Sequence, residues 1–185
     1  MRFTAATAAA LLFCTSVFAG EIDLSFNDEA FRAFYVGEFE RNDLAWDAGL
    51  LNNSDNGFVA YGSLYLEGFA SDGRNPLQGG LGVRTGIVSG DDSGQDGVPV
   101  GLGGFLKYTF PQMNRLSLRT DLYYSPKVLS IGDLENYEDY SIRLAYNVLR
   151  EADLYIGARY VKAEFDNDTD QNLDTGMHIG INLRF

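Results

Sequence analysis

The last ten residues read GMHIGINLRF, Gly176 to Phe185. Met177, Ile179, Ile181, Leu183 and Phe185 take one set of alternate positions; Gly176, His178, Gly180, Asn182 and Arg184 take the other. A two-residue period marks a strand with two unlike faces. Chain ends are usually polar and poorly ordered. An apolar face kept clean to a terminal aromatic therefore implies a last strand that is fully paired and apolar on one side.

The same period runs upstream. In 140–148, Tyr140, Ile142, Leu144, Tyr146 and Val148 alternate with Ser141, Arg143, Ala145 and Asn147. In 152–160, Leu154, Ile156, Ala158 and Tyr160 oppose Asp153, Tyr155, Gly157 and Arg159. In 115–124, Leu116, Leu118, Leu122 and Tyr124 oppose Ser117, Arg119, Asp121 and Tyr123. The stretch 98–110 sets Val98, Val100, Leu102, Leu106, Tyr108 and Phe110 against Gly101, Gly103, Phe105 and Lys107. Weaker versions occur at 79–88, 57–69, 43–51, 31–39 and 21–26. With the terminal run this predicts about ten strands, several longer than the five or six residues usual in globular sheets. Eight is the alternative, because the first strand, within 21–30, is short.

The connectors LNNSDNG, SGDDSGQDG, SPKVLSIGDLENYED and DNDTDQNLD are polar and mostly rich in turn formers. ERND, FPQMN and LRE are shorter, and ASDGRNPLQ breaks the rule by its length. A rough alternation of long and short connections suits a transmembrane barrel, with its short periplasmic turns and longer outer loops.

The chain opens MRFTAATAAALLFCTSVFAG. One basic residue, an apolar run too short for a membrane-spanning helix, and a Val17-x-Ala19 break describe a secretory signal peptide over 1–19. The mature domain is then 20–185, reaching the outer membrane after export through the inner one. Cys14 falls in the leader, and the bulky Phe13 before it argues against lipidation. The mature chain then has no cysteine for disulfides, zinc or nucleophilic catalysis. Formal charge is −12, and losing Arg2 makes it more negative still. So acidic a chain excludes a nucleic-acid partner.

Alternation alone does not say which face is outside. A soluble lipocalin-like binder would turn its apolar face inward. Strand length, the leader and the terminal Phe favour lipid outside. A last strand ending in an aromatic resembles those of bacterial outer-membrane barrels, where it is the signal read by the assembly machinery. Here that signal comprises Met177, Ile179, Ile181, Leu183 and Phe185, with outer-membrane lipid as the other partner and a monomer as the expected state.

The opposite face then carries a network of charges in the lumen: Asp47, Glu67, Arg84, Lys107, Arg119, Asp121, Arg143, Asp153, Arg159 and Arg184. Charges on an inner wall must pair to offset their desolvation. Inward Tyr61, Tyr65, Tyr123 and Tyr155 would fill much of a ten-strand bore, so the lumen is read as occluded or very narrow. Trp46, Tyr108, Tyr124, Tyr140 and Tyr160 are read as interface girdle residues.

No catalytic, cofactor or metal residue is assigned. His178, the sole histidine, faces the lumen, and the residue two further on is Gly180 where a lipid-modifying enzyme would need a nearby Ser; a hydrogen-bonded wall residue is expected. The 166–177 segment spaces Asp166, Asp168 and Asp170 like a calcium loop, but Gln171 and Met177 stand where an EF-hand needs Gly and Glu. That segment, with Asp91, Asp92 and Asp96, reads as solvated acidic loop. Whether 125–139 folds inward as a plug stays open.

Tyr123-Tyr124-Ser125-Pro126, Glu138 ahead of a long strand, the Gly157-x-Arg159-Tyr160 run and the terminal strand make Asp121–Lys162 resemble the YfaZ family of Gram-negative outer-membrane proteins. The resemblance implies a porin-like barrel and no defined activity or catalytic residues. The expectation is thus all-β: a closed, up-and-down antiparallel transmembrane β-barrel, non-enzymatic, narrow and porin-like or envelope-structural. The alternatives are a membrane-embedded lipid-modifying enzyme and a secreted lipocalin-like barrel.

Overall fold

The structure, a computed structural model, describes residues 20–39, 43–69, 77–91, 94–166 and 169–185. The leader expected at 1–19 with Cys14, and Asp92 and Asp168 of the acidic loops, lie outside them. The strands are β1 (Gly20–Phe26), β2 (Ala30–Glu38), β3 (Leu44–Asn53), β4 (Gly57–Phe69), β5 (Leu77–Gly90), β6 (Gln95–Val98), β7 (Val100–Thr109), β8 (Leu116–Ser125), β9 (Ile131–Gly132), β10 (Leu134–Leu149), β11 (Ala152–Phe165) and β12 (Thr169–Arg184). Ten of them close a ring in the order β1, β2, β3, β4, β5, β7, β8, β10, β11, β12, with β12 pairing back on β1. β6 and β9 form a short ribbon above one rim, joined to β5.

Closure is what the terminal strand is for. β12 meets β11 on one side and β1 on the other, from Glu21↔Arg184 to Phe26↔Ile179. Gly20 and Phe185 finish the seam with reciprocal backbone hydrogen bonds of 3.0 Å. A ring has no bare edge, which hydrocarbon would not tolerate. Gly20, the first described residue, and Phe185 therefore sit at one rim, called here the terminal end; the turns after β1, β3, β5, β8 and β11 define the loop end.

The sides of the wall settle the inside–outside question. Leu64, Leu66, Leu81, Ile87, Leu102, Leu106, Leu122, Ile142, Leu154, Ile156, Met177 and Ile179 point outward and stand exposed, Leu81 at 78 %. Arg32, Arg84, Arg143 and Arg159 point inward and are buried. A continuous apolar exterior of this extent suits lipid and would aggregate in water. The faces of a soluble lipocalin-like binder are the reverse.

Girdles bound the band. Tyr140 and Tyr160, cross-strand partners, stack with centroids 6.2 Å apart toward the loop end. Tyr35 packs between Trp46 (5.4 Å) and Phe185 (6.3 Å) at the terminal end, and Tyr108 meets Phe110 edge-on at 5.2 Å.

Beyond Tyr140 and Tyr160 the alternation changes sense. On β11 the outward set turns polar at Lys162 and Glu164, while the inward set turns apolar at Val161, Ala163 and Phe165. This is why the expected strands 140–148, 152–160 and 176–185 prove too short: their continuations wear the pattern of a soluble sheet. Register shifts between Leu134 and Asn136 and between Val161 and Lys162 hide the period further. At the second, Leu173 is the extra residue of β12, so that Leu173 and its neighbour Asp174 are both buried.

The connections alternate in length less cleanly than expected. The turns after β1 and β3 are tight, fastened by Asn27 and Asn53, whose Oδ1 atoms accept backbone N–H bonds from Ala30 (2.6 Å) and Asp55 (2.9 Å). The 125–139 segment does not plunge into the bore as a unit. Its single turn at Lys127–Leu129 and β9 lie outside, with Val128 86 % exposed, while Leu134 and Tyr137 reach inward from the wall of β10.

Candidate functional site: the barrel lumen

Three levels fill the bore. At the loop end, Ala30, Leu51, Val59, Tyr61, Val88, Leu134, Tyr137, Val161, Ala163, Phe165 and Leu173 form one apolar cluster, none above 7 % exposed. It draws on β2, β3, β4, β5, β10, β11 and β12, so it spans the mouth. Gln171 on β12 ties across to the Asn56 carbonyl at 3.0 Å. The lumen charges read from the sequence thus lie below this apolar cluster, which takes in Tyr61, one of the tyrosines expected to fill the bore.

Beneath it lies a layer of buried ion pairs. Asp139 takes both Arg32 (3.1 Å) and Arg84 (2.7 Å). Arg84 also reaches Asp47 at 3.5 Å, and its Nε donates to Ser63 Oγ at 2.8 Å. Arg159 pairs with Asp174 and donates to Ser25 Oγ at 3.1 Å; Arg143 pairs with Asp23 at 2.6 Å. Aromatic faces take up the remaining guanidinium surface: Arg84 lies 3.8 Å from the Tyr123 ring centre and 4.3 Å from that of Tyr61. Each cation has a partner because an unpaired one here would cost several kcal/mol, of order 3–5.

The third level opens toward the terminal end. Arg119 holds Asp121 at 2.8 Å and lies 4.0 Å from the Phe105 ring centre. Arg184 holds Asp153 at 2.6 Å, with Asn147 on the same carboxylate at 2.7 Å. Gln78 donates to Glu67 at 3.1 Å. Guanidinium exposure rises downward, from 1 % at Arg159 through 17 % at Arg119 to 34 % at Arg184. The apolar cluster thus crosses the loop end of the bore, while the terminal half holds the more exposed ion pairs beside a small buried cluster of Ala45, Tyr65 and Phe105.

All ten charges expected in the lumen stand on its wall, but they do not form one network: Asp47, Arg84, Arg143 and Arg159 join the buried layer, Asp121, Arg119, Asp153, Arg184 and Glu67 the open one, and Lys107 enters none of the ion pairs among the described residues. Four partners were missed. Asp139 and Asp174 sit in stretches whose composition reads as connector. Asp23 and Arg32 did carry a signal, each being a charge at an alternate position of a short apolar run. His178 is on the inner wall as expected and meets Tyr155 edge-on at 5.9 Å, yet its Nδ1 is buried without a hydrogen-bond partner. It is not the satisfied histidine anticipated. Gly157 opposite makes room for it, since a Cβ there would stand 2.8 Å from His178 Nε2.

A small cavity lies between the levels, lined by Arg32, Arg84, Arg119, Arg143, Arg159 and His178 together with the carboxylates of Asp47 and Asp121. Among the described residues no cluster of His, Cys, Asp and Glu is arranged to hold a metal ion. Met177, Ile179, Leu183 and Phe185 all face outward and are exposed.

No curated protein matches the chain in sequence. Among solved structures it is similar to the KdgM porin (10 % identity, TM-score 0.47, 90 % of this chain and 99 % of that one). It is similar to the KdgM porin in complex with disordered oligogalacturonate (10 %, 0.48, 90 % and 99 %). It also resembles the outer membrane channel DcaP of Acinetobacter baumannii (14 %, 0.45, 88 % and 54 %). Likenesses of that size say nothing about ligand or activity. The family model described as YfaZ precursor matches residues 1–185, the whole chain. A transmembrane barrel of outer-membrane type, matched from its first residue to its terminal Phe, the chain belongs to the YfaZ family.

Proposed function

We propose that this protein is a non-enzymatic, porin-like outer-membrane barrel held shut at its loop end, with a charged vestibule open at the terminal end. The observation that carries the reading is the apolar seal above the ion-pair layers. Hydrated ions do not cross a dry, close-packed plug, because they would surrender their solvation with no partner in exchange. The site's own composition weighs against histidine-based catalysis: the sole histidine has glycines on its face at Gly176 and Gly180, and among the described residues no hydroxyl bonds its Nδ1.

The loop end, where the strands continue past the Tyr140–Tyr160 girdle, is assigned to the outside of the cell, with Gly20 and Phe185 on the periplasmic side. Export by the 1–19 leader, recognition by the assembly machinery through Met177, Ile179, Ile181, Leu183 and Phe185, and a monomeric state complete the proposal. The outward alternation of that strand and the absence of an edge support them.

The test is conductance in a planar bilayer. Refolded wild-type barrel is expected to be silent, while Phe165→Gly combined with Leu134→Gly, which thins the seal, gives discrete steps. Steady steps from the wild-type protein would refute the closed reading.

A further inference from the structure

The register places one row of inward residues side by side across five strands. Lys107 on β7 faces Arg119 on β8, Arg119 faces Arg143 on β10, Arg143 faces Gly157 on β11, and Gly157 faces His178 on β12. Three cations thus stand in adjacent register positions, their backbones roughly 5 Å apart, where like charges repel. Carboxylates offset them only from the flanks: Asp121 binds Arg119 and Asp23 binds Arg143, while Lys107 has no ion pair among the described residues. Asp23 is fully buried, whereas Arg119 and Arg143 line the cavity with His178 and its unpartnered Nδ1. The cavity lining sets five guanidiniums, those of Arg32, Arg84, Arg119, Arg143 and Arg159, against two carboxylates, Asp47 and Asp121, while Asp23, Asp139 and Asp174 stay out of it.

From this geometry we infer a binding site for a small carboxylate in the vestibule, reached from the terminal end and held by Arg119 and Arg143, with Lys107 at its entrance and His178 at its inner end. Guanidinium forks match the two coplanar oxygens of a carboxylate. In the structure Arg143 uses only Nη1 on Asp23, and Arg119 uses Nε and Nη2 on Asp121, leaving N–H groups on both for a ligand. A bound anion would relieve the repulsion along the row. The inference goes beyond a closed barrel and does not need the seal, since the row of cations lies below it.

The experiment is a titration of refolded full-length protein, labelled with ¹⁵N-arginine, with sodium acetate against sodium chloride at constant ionic strength. The side-chain Nε resonances of two arginines are expected to shift saturably with acetate. Lys107→Met, which strands no carboxylate, should weaken binding by about tenfold, the loss of one charge-assisted contact. Arg143→Gln should abolish the shifts wherever it folds, and Lys127→Gln, outside the barrel, should leave them unchanged. Linear drifts shared by all arginines, unchanged affinity in Lys107→Met, or tighter binding of inorganic phosphate than of acetate would each overturn the assignment.

Discussion

One strand, β11, is two different materials. From Leu154 to Tyr160 its apolar residues face out and its charges face in; from Val161 to Phe165 its apolar residues face in and Lys162 and Glu164 face out. The backbone pleat never changes. What changes is the solvent on the outer side, hydrocarbon below the Tyr140–Tyr160 pair and water above it. The hydrophobic effect has no purchase between a lipid-facing leucine and its neighbours, so the lower half is ordered inside chiefly by ion pairs and hydrogen bonds, with one small apolar cluster at Ala45, Tyr65 and Phe105. The upper half has water outside and can be ordered by burial. Seal and vestibule are thus the two answers one wall gives to two solvents.

The most damaging way to break this arrangement is at the hub of the lower half. Asp139→Ala would leave both Arg32 and Arg84 buried without their shared carboxylate, and should cost about 3–5 kcal/mol. Urea unfolding in micelles reads this directly. A loss no greater than that of a surface substitution would mean that water enters the layer freely.

Next in size is a swap of faces on one strand. Ile156→Arg puts a cation in the lipid band and should cost about 2–4 kcal/mol, while Glu164→Arg, also outward but beyond the girdle, should cost at most about 1 kcal/mol, the worth of its surface contacts to Lys162 and Asn136. Equal penalties would place the membrane boundary above Tyr160 and remove the distinction between the halves.

Packing makes a finer contrast. Val161→Ala inside the seal should cost about 1–2 kcal/mol, because methyl groups leave a void. Ile156→Ala on the lipid face should cost less than Val161→Ala, since lipid chains fill the gap; the two unfolding midpoints measured side by side decide it.

The smallest effect belongs above both halves. Lys127 contacts Glu135 and lies 3.8 Å from Asp166, all on the exposed loop side. Glu135, held below the usual carboxylate range by that hydrogen bond to Lys127, would lend stability that fades as pH falls through its folded pKa. Exposure and salt screening leave so little that Lys127→Ala should shift neither the unfolding midpoint nor its acid limb. A measurable shift would show that the ribbon of β6 and β9 supports the seal.

Within the lipid band the chain could be read almost residue by residue. All ten barrel strands, the inward charges and the outward apolar set follow from a period of two, because in a single wall each side chain must choose between lipid and lumen. The closing role of Phe185 follows as well, since no edge is allowed in hydrocarbon. Reading failed where a second rule takes over. Leu134, Tyr137, Val161, Ala163, Phe165 and Leu173 look like loop flanks because their alternation is out of phase with the lipid band and interrupted by bulges. Asp139 and Asp174 were lost with them. Alternation states only that two faces differ. Which cation shares which carboxylate, that the bore is sealed at one end, and that Lys107, Arg119 and Arg143 meet in one row depend on register and closure, which bring together residues as far apart as Asp23 and Arg143.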